Sequence, residues 1–114
     1  MEDLKKACKC MMTGMVLDGE ILFAKDLYDR KKFAGFERKL DDISNLIKES
    51  KDECGVDLKR TKDALDNVRD THKTISRKIM EGDKGIERHK AHLEGLLGMM
   101  PNWVFMDLSD CMEA

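Results

Sequence analysis

The fold is decided by residues 33–80, which read FAGFERKLDDISNLIKESKDECGVDLKRTKDALDNVRDTHKTISRKIM. Apolar or small side chains recur here at steps of three and four residues, which brings them to one face of an α-helix. The first series consists of Phe33, Phe36, Leu40, Ile43, Ile47, Ser50 and Cys54. A sustained alternation of this kind is the heptad pattern of coiled coils. The segment therefore predicts a long helix with one apolar seam.

A second series continues the same alternation. It consists of Leu58, Thr61, Leu65, Val68, His72, Ile75, Ile79, Gly82, Ile86, His89, Leu93, Leu96 and Met100. Cys54 and Leu58 are four residues apart where a step of three was due, so we expect a stutter near Gly55 within a continuing helix. A helix over residues 33–80 would be about 72 Å long at ~1.5 Å per residue, and it could not bury its seam on itself. We therefore predict a homo-oligomer, dimer to tetramer, held by these two series.

Two glycines leave the length of this helix open. Gly82 and Gly85 lie within four residues of each other, and each costs about 1 kcal/mol relative to alanine inside a helix. Because the heptad phase is preserved across them, we expect the helix to continue. The alternative is a turn at residues 82–85, after which residues 86–98 fold back as an antiparallel arm. Under either interpretation, Gly98 and Pro101 are expected to end the helix.

The first 32 residues predict a helical cap. Apolar side chains at helical spacing indicate a short amphipathic helix over residues 3–15. Asp18 and Gly19 then stand between two apolar runs, a dipeptide that is also typical of a β-hairpin. The flanks do not alternate as strands would, so we favour a helix-turn-helix over a hairpin.

The segment after Pro101 combines large apolar side chains with acidic ones. Its candidate partner-binding anchors are Trp103, Phe105, Met106 and Leu108. A piece this short cannot form its own core, so it either folds back onto the long helix as a local cap or docks into a groove on a partner. Both alternatives stay open.

Charge and hydropathy narrow the classes of partner. The 114 residues include 21 basic and 23 acidic side chains, for a formal charge of −2, so no global field attracts nucleic acid. Lys25 and the basic run 30–32 form a cluster, but Asp26 and Asp29 interrupt it, which disfavours nucleic-acid binding. The sequence has no apolar run of about 18 residues, as a membrane span requires. No secretory signal is recognisable, so we expect an intracellular protein, cytoplasmic or nuclear.

Cysteines and histidines do not form a recognisable metal site. Cys8, Cys10, Cys54 and Cys111 are too sparse for a disulfide framework, and we expect reduced thiols. Cys8 and Cys10 are separated by one residue, whereas zinc sites favour two to four. His72 and His89 fall on the seam. There a polar side chain either sets register or reaches solvent.

Catalytic motifs are also missing from the sequence. There is no Gly-rich phosphate loop and no Gly-x-Ser-x-Gly or His-Glu-x-x-His pattern. We therefore predict a non-enzymatic all-α protein without cofactor or metal. Its predicted parts are a cap at 1–32, a coiled-coil oligomerisation region at 33–100 and an apolar tail at 101–114. The predicted role is a self-associating scaffold or adaptor that presents its ends to other proteins. The alternatives are a small regulatory protein, possibly viral, acting through the tail and a zinc- or nucleic-acid-binding helical module.

Overall fold

The described residues form four α-helices of similar length. The structure is a computed structural model and describes residues 2–55, 57–82 and 85–112. The helices are α1 (Glu2–Asp29), α2 (Phe33–Cys54), α3 (Lys59–Met80) and α4 (Glu87–Met112). No strand occurs in the described ranges, so the all-α prediction is confirmed. None of these helices has an apolar stretch long enough to cross a membrane.

The turn between α1 and α2 is a Schellman motif. Lys31 adopts a left-handed conformation with φ 62°, its N–H donates to Tyr28 O at 3.0 Å, and the N–H of Lys32 donates to Leu27 O at 2.9 Å. These two bonds satisfy carbonyls that the end of a helix leaves free. The turn coincides with the boundary expected between the cap and the long helix.

The prediction of one long helix is wrong, because two left-handed glycines end α2 and α3. Gly55 has φ 69° and ψ 17°, and its N–H donates to Lys51 O. Gly82 has φ 75°, and its N–H donates to Ile79 O at 3.1 Å. Glycine adopts this conformation without steric strain. The helix therefore ends at Gly55 and does not continue through a stutter. After Gly82 the chain folds back, as the alternative prediction had it, although residues 83 and 84 of the expected turn lie outside the described residues.

Two further helix boundaries were predicted wrongly. α1 runs from Glu2 to Asp29 through Gly19, so the Asp-Gly pair makes no turn. α4 includes Pro101 and continues to Met112, so the residues expected to form a separate tail belong to a helix. Proline inside a helix removes one hydrogen bond and costs about 3 kcal/mol or more. Burial of Met100 and Val104 on either side of it offsets this cost.

The helices pack as an antiparallel bundle in which the first and the last are neighbours. α1 contacts α2 and α4, and α3 contacts α2 and α4. A Cβ placed on Gly14 would lie 2.7 Å from Leu108 Cδ1, whereas Tyr28 and Glu94 line one cleft, so α1 and α4 run in opposite directions. The bundle measures 58 × 21 × 18 Å.

Each helix turns a heptad series towards the common core. Its buried apolar members are Leu17, Ile21, Ala24 and Tyr28 of α1; Phe36, Leu40, Ile43 and Ile47 of α2; Leu58, Leu65, Val68 and Ile75 at or in α3; and Leu93, Leu97, Met100, Val104 and Leu108 of α4. Steps of three and four residues keep these side chains on one face of each helix. The core therefore runs the length of the bundle.

A buried carboxylate fixes α4 to the start of α3. Asp107 is 3% exposed, and its Oδ2 accepts hydrogen bonds from the backbone N–H and the hydroxyl of Thr61, at 2.9 and 2.8 Å. Arg60 Nη1 lies 3.2 Å from Asp107 Oδ1. Leu58, at the N-cap of α3, supplies no side-chain cap. Asp107 therefore caps α3 from another helix, where a negative charge is favourable.

Candidate protein-interaction surface

The side chains predicted to form an oligomer seam lie mainly inside the bundle. Phe36, Leu40, Ile43, Ile47, Leu58, Leu65, Val68, His72, Ile75 and Leu93 are buried. Ile86, His89 and Leu96 are half-buried, and Ile79 is 48% exposed. The two series pack against helices of their own chain, so a single copy covers most of the seam.

The candidate anchors after Pro101 divide between the core and the surface. Leu108 is buried and Trp103 is half-buried, while Phe105 is 67% and Met106 43% exposed. All four belong to α4. Folding of the segment therefore covers two anchors and leaves two on the surface.

Among the described side chains, the largest group of exposed apolar ones lies on α1, which the sequence analysis assigned to a helical cap. Six large apolar side chains of one helix are between 49% and 73% exposed: Met11, Met12, Met15, Val16, Leu22 and Phe23. We call these six side chains the outer stripe. They lie opposite the buried side chains of the same helix. Over residues 11–24, α1 is thus apolar on two opposite faces.

The outer stripe has a heptad spacing of its own. Met12, Met15, Gly19, Leu22 and Asp26 follow one another at steps of three, four, three and four residues, which places them on one face of the helix. Gly19 occupies the middle, and a Cβ built there would meet no atom within 4 Å. A helix that is apolar all round is normally covered on all sides.

A groove between α1 and α2 extends the stripe sideways. The groove has a volume of about 400 Å³. Its apolar lining is Met12, Val16 and Leu46, and its charged lining is Lys9 and Glu49. Open apolar grooves between helices are common protein-binding sites.

An ion pair lines the adjoining pocket between α1 and α2, which shares Val16, Leu46 and Glu49 with this groove. Lys39 Nζ lies 2.6 Å from Glu20 Oε2 and 4.8 Å from the centre of the Phe23 ring. The hydrogen bond to Glu20 raises the pKa of the Lys39 amine above its ordinary value. The Lys39 charge is therefore compensated within the chain.

In a polar cleft between α2 and α3, most of the charged side chains are hydrogen-bonded to one another. The cleft has a volume of about 230 Å³ and is lined by Glu37, Leu40, Asp41, Arg69, His72 and Lys73. Arg69 Nη2 donates to Asp41 Oδ1 at 2.8 Å and to Leu40 O at 3.2 Å. His72 Nε2 lies 3.1 Å from Glu37 Oε1. The pairs tie α2 to α3, and they present no nucleophile beside a base.

The His72 ring is part of the core and does not reach solvent. It is 4% exposed, and its centre lies 5.1 Å from the Phe36 ring and 5.7 Å from the Phe33 ring. Its Nδ1 is buried without a hydrogen-bond partner among the described residues. The alternative in which a seam histidine reaches solvent therefore does not apply to His72, and a role in setting register stays a prediction.

Metal ligands do not converge in the part of the chain that the structure describes, where no three His, Cys, Asp or Glu side chains form a group suited to a cation. The side chains of Cys8, Cys10, Cys54 and Cys111 fall outside that part. The outer stripe is therefore the candidate site that the described residues support best. Comparisons with family models, curated proteins and solved structures found no match to this chain.

Proposed function

We propose that this protein is a non-enzymatic self-association module, a scaffold or adaptor subunit that binds a second copy of itself through the outer stripe. The observation that carries the proposal is the row of six large apolar side chains, half to three-quarters exposed, on one helix. The proposal includes an intracellular location, since a few scattered cysteines without a disulfide pattern are typical of a reducing compartment.

The exposed area supports association. Six side chains exposed to this degree leave on the order of 100 Å² each, or roughly 600 Å² in total, at the upper end of the largest apolar patch on a typical soluble monomer. A standard interface buries about 800 Å² per partner, and the smallest stable ones about 600 Å². The outer stripe, with the groove beside it, is therefore large enough for a specific dimer.

The composition of the stripe fits a protein partner. Three of its six members are methionines, Met11, Met12 and Met15. Methionine is flexible and polarizable, fills irregular gaps and is frequent at surfaces that bind other helices. Between Met12 and Leu22 this face carries no charged side chain, and Gly19 is its one residue without a side chain. Such a face is suited to another apolar helix.

A second candidate is a regulatory protein that binds its partner through α4. The observation that favours it is the exposure of Phe105 and Met106, together with Met99, which is 45% exposed. This surface is smaller than the outer stripe. A Phe105→Glu variant that loses a partner but keeps its oligomeric state would support this alternative.

Sedimentation velocity and light scattering over a wide range of protein concentration test the first proposal. We expect a mass about twice the 13.1 kDa of one chain, and we expect Met15→Glu to reduce it to that of a monomer. Met80→Glu is the matched control, because Met80 is 89% exposed at the end of α3 and should leave the dimer intact. A wild-type protein that stays monomeric at every concentration refutes the proposal.

A further inference from the structure

Gly19 stands at the centre of the outer stripe and leaves room for another backbone. Met12, Met15 and Val16 precede it, and Leu22 and Phe23 follow it. Apart from the neighbouring backbone of α1, no atom of the described residues lies within 4 Å of a Cβ built on Gly19, so no other described helix fills this space. A glycine between large side chains allows the backbone of a second helix to come close.

The spacing around Gly19 suits a two-fold axis beside it. In an antiparallel pair, Gly19 faces Gly19 of the second copy, and side chains on the same flank of the stripe come opposite each other. Met15 then packs against Leu22 of the second copy, and Val16 packs against Phe23. Both contacts occur twice, as an isologous interface requires.

Charge favours antiparallel packing over parallel. Asp26 lies on the same heptad face as Gly19. Its side chain is 50% exposed, and its Oδ2 lies 3.2 Å from Nε of the more exposed Arg30. In a parallel pair the two Asp26 carboxylates would face each other in the seam. In an antiparallel pair each lies near Met12 of the second copy, one turn from the exposed Lys9. The helix dipoles also attract each other in this direction.

We propose that two copies pack antiparallel through their outer stripes, across a two-fold axis that passes beside Gly19. The inference rests on the proposed self-association and specifies its partner, direction and register. The area argument given above applies to this interface, because the six side chains of each copy cover those of the other.

A complementary charge pair tests the direction and register. Met15→Lys and Leu22→Glu are each expected to weaken the dimer at least tenfold, since each places a charge opposite an apolar side chain. The double variant Met15→Lys/Leu22→Glu brings opposite charges together only when the helices are antiparallel. Met15→Lys/Leu22→Lys is the matched control, because it loses the same apolar area and gains only like charges.

The result expected from sedimentation is a dimer of the Lys/Glu variant at least tenfold tighter than that of the Lys/Lys variant. Equal dissociation constants for the two double variants overturn the antiparallel register. The proposal of self-association does not depend on that comparison, because it is supported if each single variant weakens the dimer. A monomeric wild type overturns both proposals. Circular dichroism checks folding, and the exposure of Met15 and Leu22, 73% and 63%, makes the monomer tolerant of these changes.

A substitution at Gly19 tests the position of the axis separately. Gly19→Leu is expected to raise the thermal stability of the monomer and to weaken the dimer at least tenfold, because the side chain fills the gap between the two backbones. Gly95→Leu is the control, since Gly95 is an exposed glycine of α4 with no atom within 4 Å of its Cβ position. A Gly19→Leu dimer as tight as that of the wild type places the axis elsewhere.

Discussion

Replacing Asp107 by alanine should destabilise the bundle more than most other single polar substitutions. The carboxylate is 3% exposed and accepts two hydrogen bonds from Thr61, which is fully buried. Its removal takes away a helix cap worth about 1 kcal/mol. It also leaves the buried hydroxyl of Thr61 without an acceptor, at about 1–3 kcal/mol. We expect a loss of about 3 kcal/mol in the free energy of unfolding, out of the roughly 5–15 kcal/mol typical of a domain.

Asp107→Asn separates the hydrogen bonds from the charge. The amide oxygen still accepts from Thr61, whereas the attraction to the helix dipole and to Arg60 is lost. The dipole contributes about 0.3–1 kcal/mol, and the Arg60 side chain is 45% exposed, so its pair with Asp107 adds little. We expect Asp107→Asn to lose about 1 kcal/mol.

Urea unfolding followed by circular dichroism measures both variants, at one fixed protein concentration because association shifts the apparent stability. Asp66→Ala is the control, because Asp66 is exposed on α3 and such changes stay within about 0.5 kcal/mol. An Asp107→Ala variant as stable as this control would refute the capping role. Equal losses for the alanine and asparagine variants would show that charge, and not hydrogen bonding, holds the first turn of α3.

For four further substitutions the structure predicts whether stability rises or falls. Gly19→Ala should stabilise the monomer by about 0.5–1 kcal/mol. Gly14→Ala should leave the temperature of thermal unfolding unchanged or lower it, because the new Cβ would lie 2.7 Å from Leu108 Cδ1 in the core. His72→Leu should raise the free energy of unfolding in urea by about 1 kcal/mol, because it removes a buried nitrogen without a partner. The Glu37 side chain, which is 63% exposed, is then hydrated by water. A lower free energy of unfolding would show that the imidazole is required. Burial raises the pKa of the Asp18 carboxyl above its ordinary 3.8, so ionisation destabilises the folded state at neutral pH. Asp18→Asn should therefore be more stable than the wild type at pH 7, and the difference should vanish below the ordinary pKa; a difference that does not change with pH contradicts this.

The sequence identified the apolar faces of the central helices, because their polar faces are clearly separated from them, but it assigned these faces to an oligomer seam and not to the core of one chain. Phe36, Ile43, Val68 and Ile75 were identified from spacing alone, and all are buried. The breaks between helices were harder to place. The four-residue step from Cys54 to Leu58 fits both a stutter and a loop at Gly55, so spacing cannot distinguish a continuing helix from a reversal of the chain.

The candidate site could not be found by the same reasoning. Periodicity reveals a buried face only when the opposite face is polar, and over residues 11–24 of α1 the two faces are both apolar. The absence of any polar face was itself the available signal. The helix end predicted at Pro101 was wrong for a different reason. Packing of the residues on both sides of this proline outweighs its intrinsic preference to end a helix.

The contact between the first and the last helix delays folding of the new chain on the ribosome. Gly14 lies against Leu108, so α1 cannot complete its packing until α4 has been made. At about 5–20 residues per second, this takes roughly 5–20 s. During that interval α1 is apolar on two sides and has only α2 as a neighbour. Nascent chains halted before α4 should therefore depend on chaperones, and the growing polypeptide is most prone to aggregation before its last helix emerges.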